Sequence, residues 1–235
     1  MGTLYVVATP IGNLEDISFR ALRLLFTVDM IACEDTRQTG QLLTLLRARY
    51  GALIEGDKRP ELIRYDNHTE QSEAPRILEA IEEGKNVALV SDAGTPIIND
   101  PGYVIVSNAR KHGIPVESVP GPSAPIAALA ASGLPADKFT FLGYPPEKQA
   151  HRLKLFASLL DVQKSISPTY ICFCAPHKLA EVLDDMATAL GDIEITIMRE
   201  LTKSHEAWWK GPLSEATSSF AEPKGEMVLL FDLRG

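Results

Sequence analysis

Short, mainly apolar runs alternate with longer segments in which leucine and isoleucine recur at helical spacing, and this alternation organises the first half of the chain. The runs at 4–8, 29–33, 62–65, 86–90 and 115–119 predict strands. The segments 18–26, 38–49, 71–83 and 103–112 each carry an apolar stripe opposite a mostly polar face, which predicts helices, and Glu82, Glu83 and Gly84 close the third. Apolar strands separated by amphipathic helices predict a parallel sheet covered on both faces. Val119-Pro120-Gly121-Pro122-Ser123 then sets two prolines around a glycine, after a strand and before an alanine-rich helix over 124–132, so the chain must turn sharply. That turn divides the chain into an α/β domain over 1–119 with a parallel sheet and a second α/β domain over 120–235 with a mixed sheet. The second domain has predicted strands near 138–144, 169–174, 193–200 and 226–232 and helices near 147–160, 176–190 and 213–220. Two domains on a short stiff hinge predict a cleft between them, and such clefts favour ligands.

Composition narrows the classes. A chain of 235 residues can bury a substantial core as one large or two modest domains, and its net charge of −8 argues against a general nucleic-acid coat protein. Cys33, Cys172 and Cys174 form an odd set without C-x-x-C spacing, so neither a disulfide framework nor a metal site is expected, and a reducing cytoplasm is the natural compartment. The opening Leu4-Tyr5-Val6-Val7-Ala8 lacks the basic region and long apolar run of a signal peptide. No apolar stretch is long enough to span a bilayer, so a cytoplasmic protein with no membrane partner is expected.

The segment Ser91-Asp92-Ala93-Gly94-Thr95-Pro96-Ile97-Ile98-Asn99-Asp100-Pro101-Gly102 follows an apolar strand and precedes a helix, the local order of a small-molecule site in an open α/β sheet. Gly94 and Gly102 permit positive φ or close backbone approach, Pro96 and Pro101 stiffen the loop, and Asp92, Thr95, Asn99 and Asp100 supply polar groups. No lysine or arginine lies within it, and neither G-x-x-x-x-G-K-[ST] nor G-x-G-x-x-G is present. A neutral or positively charged adenosine compound fits such a loop better than a nucleoside triphosphate. The competing reading is a surface turn shaped by Gly and Pro.

Several separated segments carry a resemblance in one order: Leu4 to Ile17, Ala32-Cys33-Glu34-Asp35-Thr36-Arg37, Ser91 to Gly102, Pro120-Gly121-Pro122-Ser123-Ala124, Ala175-Pro176-His177-Lys178-Leu179, Arg199-Glu200-Leu201-Thr202-Lys203 and Gly225-Glu226-Met227-Val228. On these the chain resembles the small-subunit ribosomal RNA methyltransferase I family of the tetrapyrrole-methylase-like superfamily. The resemblance implies two α/β domains with the cofactor in the cleft between them, and a homodimer. It implies methyl transfer from S-adenosylmethionine to the ribose 2′-hydroxyl of a cytidine in small-subunit ribosomal RNA, free or in the assembled small ribosomal subunit. A related methyltransferase acting on a tetrapyrrole or a protein, and a non-catalytic ribosome-assembly factor, are the alternatives.

By the same resemblance, Pro10, Gly12, Ser91, Asp92, Ala93, Gly94, Thr95 and Pro96 wrap the cofactor, with Ser123 and Ala124 beside it. The second domain contributes Cys174, Ala175, Glu200, Leu201 and Met227, although Cys174 and Met227 also read as core fillers. Glu34, Asp35, Arg37 and Lys203 are the residues expected to face the acceptor; an Asp35–Arg37 pairing or a solvated loop is the plainer reading of the first three. Methyl transfer requires in-line alignment and removal of a proton from a weakly acidic hydroxyl, for which Asp100 is the favoured base over His68, Glu200 and Lys203. The Asn67-His68-Thr69-Glu70 and Phe173-Cys174-Ala175-Pro176-His177 segments depart from the family pattern. Many relatives also continue into a small helical extension beyond the point where this chain stops.

An RNA substrate calls for local positive charge. Arg47, Arg49, Lys58, Arg59 and Arg64 form one candidate group, and Lys148, His151, Arg152 and Lys154 another, while Trp208 and Trp209 offer either a stacking surface or core.

Overall fold

In β1 (Leu4–Val7), Leu4 and Val6 join one layer of core while Tyr5 and Val7 join the layer behind it, and β2 (Met30–Cys33) and β4 (Val87–Val90) alternate in the same way. Burial on both faces is the reason these strands read as continuous apolar runs. With β3 (Glu61–Arg64) and β5 (Val116–Val119) they form an all-parallel sheet in the order β3-β2-β4-β1-β5. The computed structural model describes residues 1–54, 58–220 and 223–234.

Helices α1 (Phe19–Leu25) and α2 (Thr36–Tyr50) cover the face made by Val7, Ile31, Cys33, Ala88 and Val90. The opposite face, with Leu4, Ala32 and Leu89, is covered by α3 (Glu70–Glu82) and α4 (Tyr103–Lys111). Strands β1 and β4 are neighbours, yet β1 feeds a helix on one face and β4 a helix on the other. Their loops therefore part at the carboxyl edge, the arrangement that opens a crevice in sheets of this kind. Ser18 starts α1 by accepting the Ala21 N–H, and Asp35 starts α2 by accepting that of Arg37.

The chain divides into two units, Met1–Ser123 and Ala124–Gly235. The second holds a mixed sheet in the order β6-β7-β10-β8-β9, built from β6 (Phe139–Phe141), β7 (Thr169–Cys174), β8 (Glu194–Arg199), β9 (Ala207–Pro212) and β10 (Met227–Phe231). Within this sheet only the β6–β7 pair is parallel among the described residues. Helices α6 (Gln149–Gln163), α7 (Leu179–Leu190) and α8 (Leu213–Ser219) lie on the face of Tyr170, Cys172, Ile197 and Leu229, and α5 (Ala124–Ala131) packs Ala128 and Leu129 on Ile171, Met198 and Leu230.

Three expectations change. Strand β9 is additional to the predicted set; it pairs with β8 along its length and exposes Trp208 (68%) while Trp209 packs edge-on to Phe220 at 6.2 Å, so the tryptophan pair is no joint stacking platform. Arg152 is not a surface cation: its guanidinium is sealed between α6 and α7 against Asp185. The group around Arg47 is largely neutralised, with Arg49 paired to Glu15, Lys58 to Asp29 and Arg64 to Asp66, and Arg47 lying over the Phe26 ring.

Candidate active site

Three loops at the carboxyl edge of the first sheet are tied to one another by short-range geometry. Thr9 and Gly94 exchange backbone hydrogen bonds of 2.9 and 3.1 Å, and the buried Thr9 hydroxyl donates to the Ser91 carbonyl at 3.2 Å. The Thr95 hydroxyl donates to the Pro122 carbonyl at 2.9 Å, and a Cβ on Gly121 would come within 3.0 Å of Ala8 Cβ. The loops after β1, β4 and β5 thus form one surface, which brings Pro10, Ser91 to Pro96 and Ser123 to one sheet edge. Gly94 adopts φ +84 with room bounded by Ile11, a conformation and spacing that suit glycine.

Carboxyl groups converge there. Asp92 accepts the Asp35 N–H at 3.2 Å and the Gln38 side-chain amide at 2.8 Å. Burial raises the pKa of Asp92, opposed by that Asp35 N–H and reinforced by the Asp35 charge. Burial likewise lifts Glu34, with the charges of Asp100 and Asp92 adding to it. Asp100 is raised by burial against a hydrogen bond from Ser91, and the charge of Asp92 lifts it further. Burial and neighbouring acid charges raise all three carboxyls, which places a proton acceptor of above-average basicity beside a field that attracts cations. Asp35 serves α2: its carboxylate accepts the Arg37 N–H at 2.8 Å and pairs with the Arg37 guanidinium at 2.8 Å, holding its own pKa well below the usual range. Arg37 itself is 89% exposed. His68 is exposed and belongs to the turn capped by Asp66.

The loop stores backbone strain. Ile97 and Asn99 take φ of 75 and 71, and the first is β-branched, for which the left-handed region is costly. Gly102 sits at φ +134, where a Cβ would lie 2.7 Å from Leu89 and 2.8 Å from Ile97 side-chain atoms. Gly102→Ala is therefore expected to lose about 1–3 kcal/mol of stability, read as a lower urea midpoint with an unchanged slope; an unchanged midpoint would show that the loop relaxes freely.

Within the second unit, the register sets Met227 beside Cys174 on one side and Arg199 on the other, so Cys174, Ala175, Glu200, Leu201 and Met227 gather at one sheet edge. Cys174 is a core thiol whose pKa burial pushes up to about 12, which excludes a thiolate role at neutral pH. Glu200, at φ 52, accepts the Glu226 N–H at 2.9 Å and Lys203 Nζ at 3.0 Å, and these two bonds lower its pKa. Lys203 also reaches Glu226 at 3.0 Å; burial opposes its charge, but the two carboxylates prevail and raise its pKa, so it is no base. A cavity of about 170 Å³ opens at this edge, lined by Tyr144, Phe173, Cys174, Ala175, His177 and Lys178 among others.

Sequence reasoning missed Gln38, which clamps Asp92, and the strained pair Ile97 and Asn99. The helical position of Gln38 three residues after Asp35 was a usable signal for the first. Nothing local foretells left-handed isoleucine. Among the described residues no cluster of His, Cys, Asp and Glu has metal-holding geometry, and no described helix is long and apolar enough to cross a membrane.

Residues 3–217 match the family model of the tetrapyrrole (corrin/porphyrin) methylases. The chain is similar to ribosomal RNA small subunit methyltransferase I of Halalkalibacterium halodurans, 43% identical over all of this chain and 77% of that one. It is also similar to the protein of the same name from Thermotoga maritima, 42% identical over 98% of each. In fold it is similar to uroporphyrin-III C-methyl transferase from Thermus thermophilus, solved in complex with S-adenyl homocysteine, at 20% identity, TM-score 0.64, and 99% and 98% coverage.

Proposed function

Because the chain belongs to the tetrapyrrole (corrin/porphyrin) methylase family, we propose that it is an S-adenosylmethionine-dependent methyltransferase acting on the ribose 2′-hydroxyl of a cytidine in small-subunit ribosomal RNA. The observation that carries this reading is alignment over 98% or more of this chain, at 42–43% identity, with proteins named ribosomal RNA small subunit methyltransferase I. The tetrapyrrole-directed neighbour shares only the fold at 20% identity.

The chemistry of the first sheet's edge fits the cofactor. It presents acids and backbone groups, and the 91–102 loop has no lysine or arginine, which suits a donor bearing sulfonium and ammonium charge. S-adenosylmethionine supplies an electrophilic methyl group. In the first unit, Pro10, Gly12, Ser91, Asp92, Ala93, Gly94, Thr95, Pro96 and Ser123 are assigned to donor binding, and in the second, Ala124, Cys174, Ala175, Glu200, Leu201 and Met227. Glu34, Asp35, Arg37 and Lys203 are assigned to the acceptor. Arg37 is the most accessible cation of that set, whereas Lys203 is held by two carboxylates. Asp100 accepts the hydroxyl proton, its basicity raised by burial.

The protein works in the cytoplasm as a homodimer on ribosomal RNA or the assembled small subunit. The test is transfer of label from methyl-labelled S-adenosylmethionine to small subunits lacking the modification, followed by mapping of methylated riboses. Labelling of one cytidine ribose supports the reading. Labelling of a tetrapyrrole or protein alone, or tight donor binding without transfer, overturns it.

A further inference from the structure

The RNA backbone needs a positive contact surface on a chain of net charge −8, and ion pairing removes most candidates. Around Arg47 all of the cations but Arg59 already face a carboxylate or a ring. On α6 the picture is reversed. Arg152 is consumed in the interior, while Lys148, His151 and Lys154 stand exposed within two helical turns, and none has a carboxylate partner among the described residues. On α7, Asp185 is taken up by Arg152 and Gln149, and Glu181 by Arg152 and Lys178.

Position adds a second argument. Strands β6 and β7 are parallel, so α6 begins at the sheet edge where β7 ends. The loop leading into α6 and the end of β7 line one cavity, with Tyr144 and Phe173 rings 5.4 Å apart in its wall. The Arg152 guanidinium donates to the Pro146 and Glu147 carbonyls and fixes this loop. The unpaired cations therefore border the edge that carries Cys174 and Ala175.

We propose that the amino-terminal half of α6, through Lys148, His151 and Lys154, is the surface that grips the phosphate backbone of the RNA acceptor. This rests on the ribosomal RNA methyltransferase reading and names the contact face for it.

The double variant Lys148→Glu with Lys154→Glu tests it. Acidic residues suit a helix amino terminus, so the variant is expected to fold. Its KM for small subunits should rise at least tenfold, with affinity for S-adenosylhomocysteine within twofold of wild type and the slope of log KM against log salt shallower by about one to two. Lys85→Glu with Lys111→Glu makes the same charge change at exposed sites of the first unit and should leave KM within threefold. Unchanged KM and slope in the α6 variant, or an equal rise in the control, overturns the assignment. Wild-type protein that binds S-adenosylhomocysteine but methylates no RNA overturns the functional reading, and this surface with it.

Discussion

Asp100→Asn is expected to slow methyl transfer by about 10²–10⁴-fold while affinity for S-adenosylhomocysteine stays within threefold of wild type. The side chain keeps its shape and its place beside Ser91 but loses the basic carboxylate that accepts the hydroxyl proton. The pH profile gives a second readout. Burial, resisted by the Ser91 hydrogen bond and aided by the Asp92 charge, places the Asp100 pKa above 3.8, so the wild-type rate should fall on the acid side with a midpoint above the ordinary aspartate value. The variant should lack that limb. Stability moves the other way. A carboxyl with a raised folded pKa holds its proton more tightly folded than unfolded, so its ionisation costs stability above that pKa, and the cost vanishes as pH falls through the raised value toward the unfolded one. Asparagine cannot ionise, and the variant should melt at or above the wild-type temperature at pH 7. Near-normal turnover would remove Asp100 from the reaction; a lower melting temperature at pH 7 would contradict the placement of its charge.

Arg152→Ala is expected to cost about 3–5 kcal/mol. Arg152 and Asp185 have 4% and 3% side-chain exposure and meet at 2.7 Å, with Gln149 donating to the other Asp185 oxygen at 2.9 Å. Alanine leaves a carboxylate inside the unit with one amide for company. It also releases the Pro146 and Glu147 carbonyls, so the wall of the cavity loosens along with the α6–α7 contact. Urea denaturation at pH 7 reads the effect as a lower midpoint. Replacing both partners, Arg152→Leu with Asp185→Leu, should restore most of the loss, because no charge is then stranded. A single-variant loss under about 1 kcal/mol would mean that water reaches the pair.

These expectations separate what local sequence encodes from what it does not. The central strands of the first unit were legible because a strand buried on both faces must be apolar at every position, as Met30–Cys33 and Val87–Val90 are. The 91–102 loop was legible through its glycines, prolines and acids and through its lack of cations. Strand β9 was not, since Ala207–Pro212 alternates Trp208 outward and Trp209 inward at an edge, where only half the positions need be apolar. The role of Asp35 was half visible: its pairing with Arg37 is local, whereas its N–H to Asp92 spans 57 positions.

Sequence alone determined most of the succession of elements and the acidic loop after β4, because periodicity and turn chemistry are set by neighbours a few residues apart, while the ordered set of motifs carried the resemblance to the family. Tertiary structure decided which charges are free to act. Arg152 and Lys154 look alike in the chain, yet one is sealed against an aspartate 33 positions away and the other faces water. Whether a cation binds RNA or holds up the core depends on what the fold brings beside it, and the energy of a charge is set by that distant partner and by the water it keeps or loses.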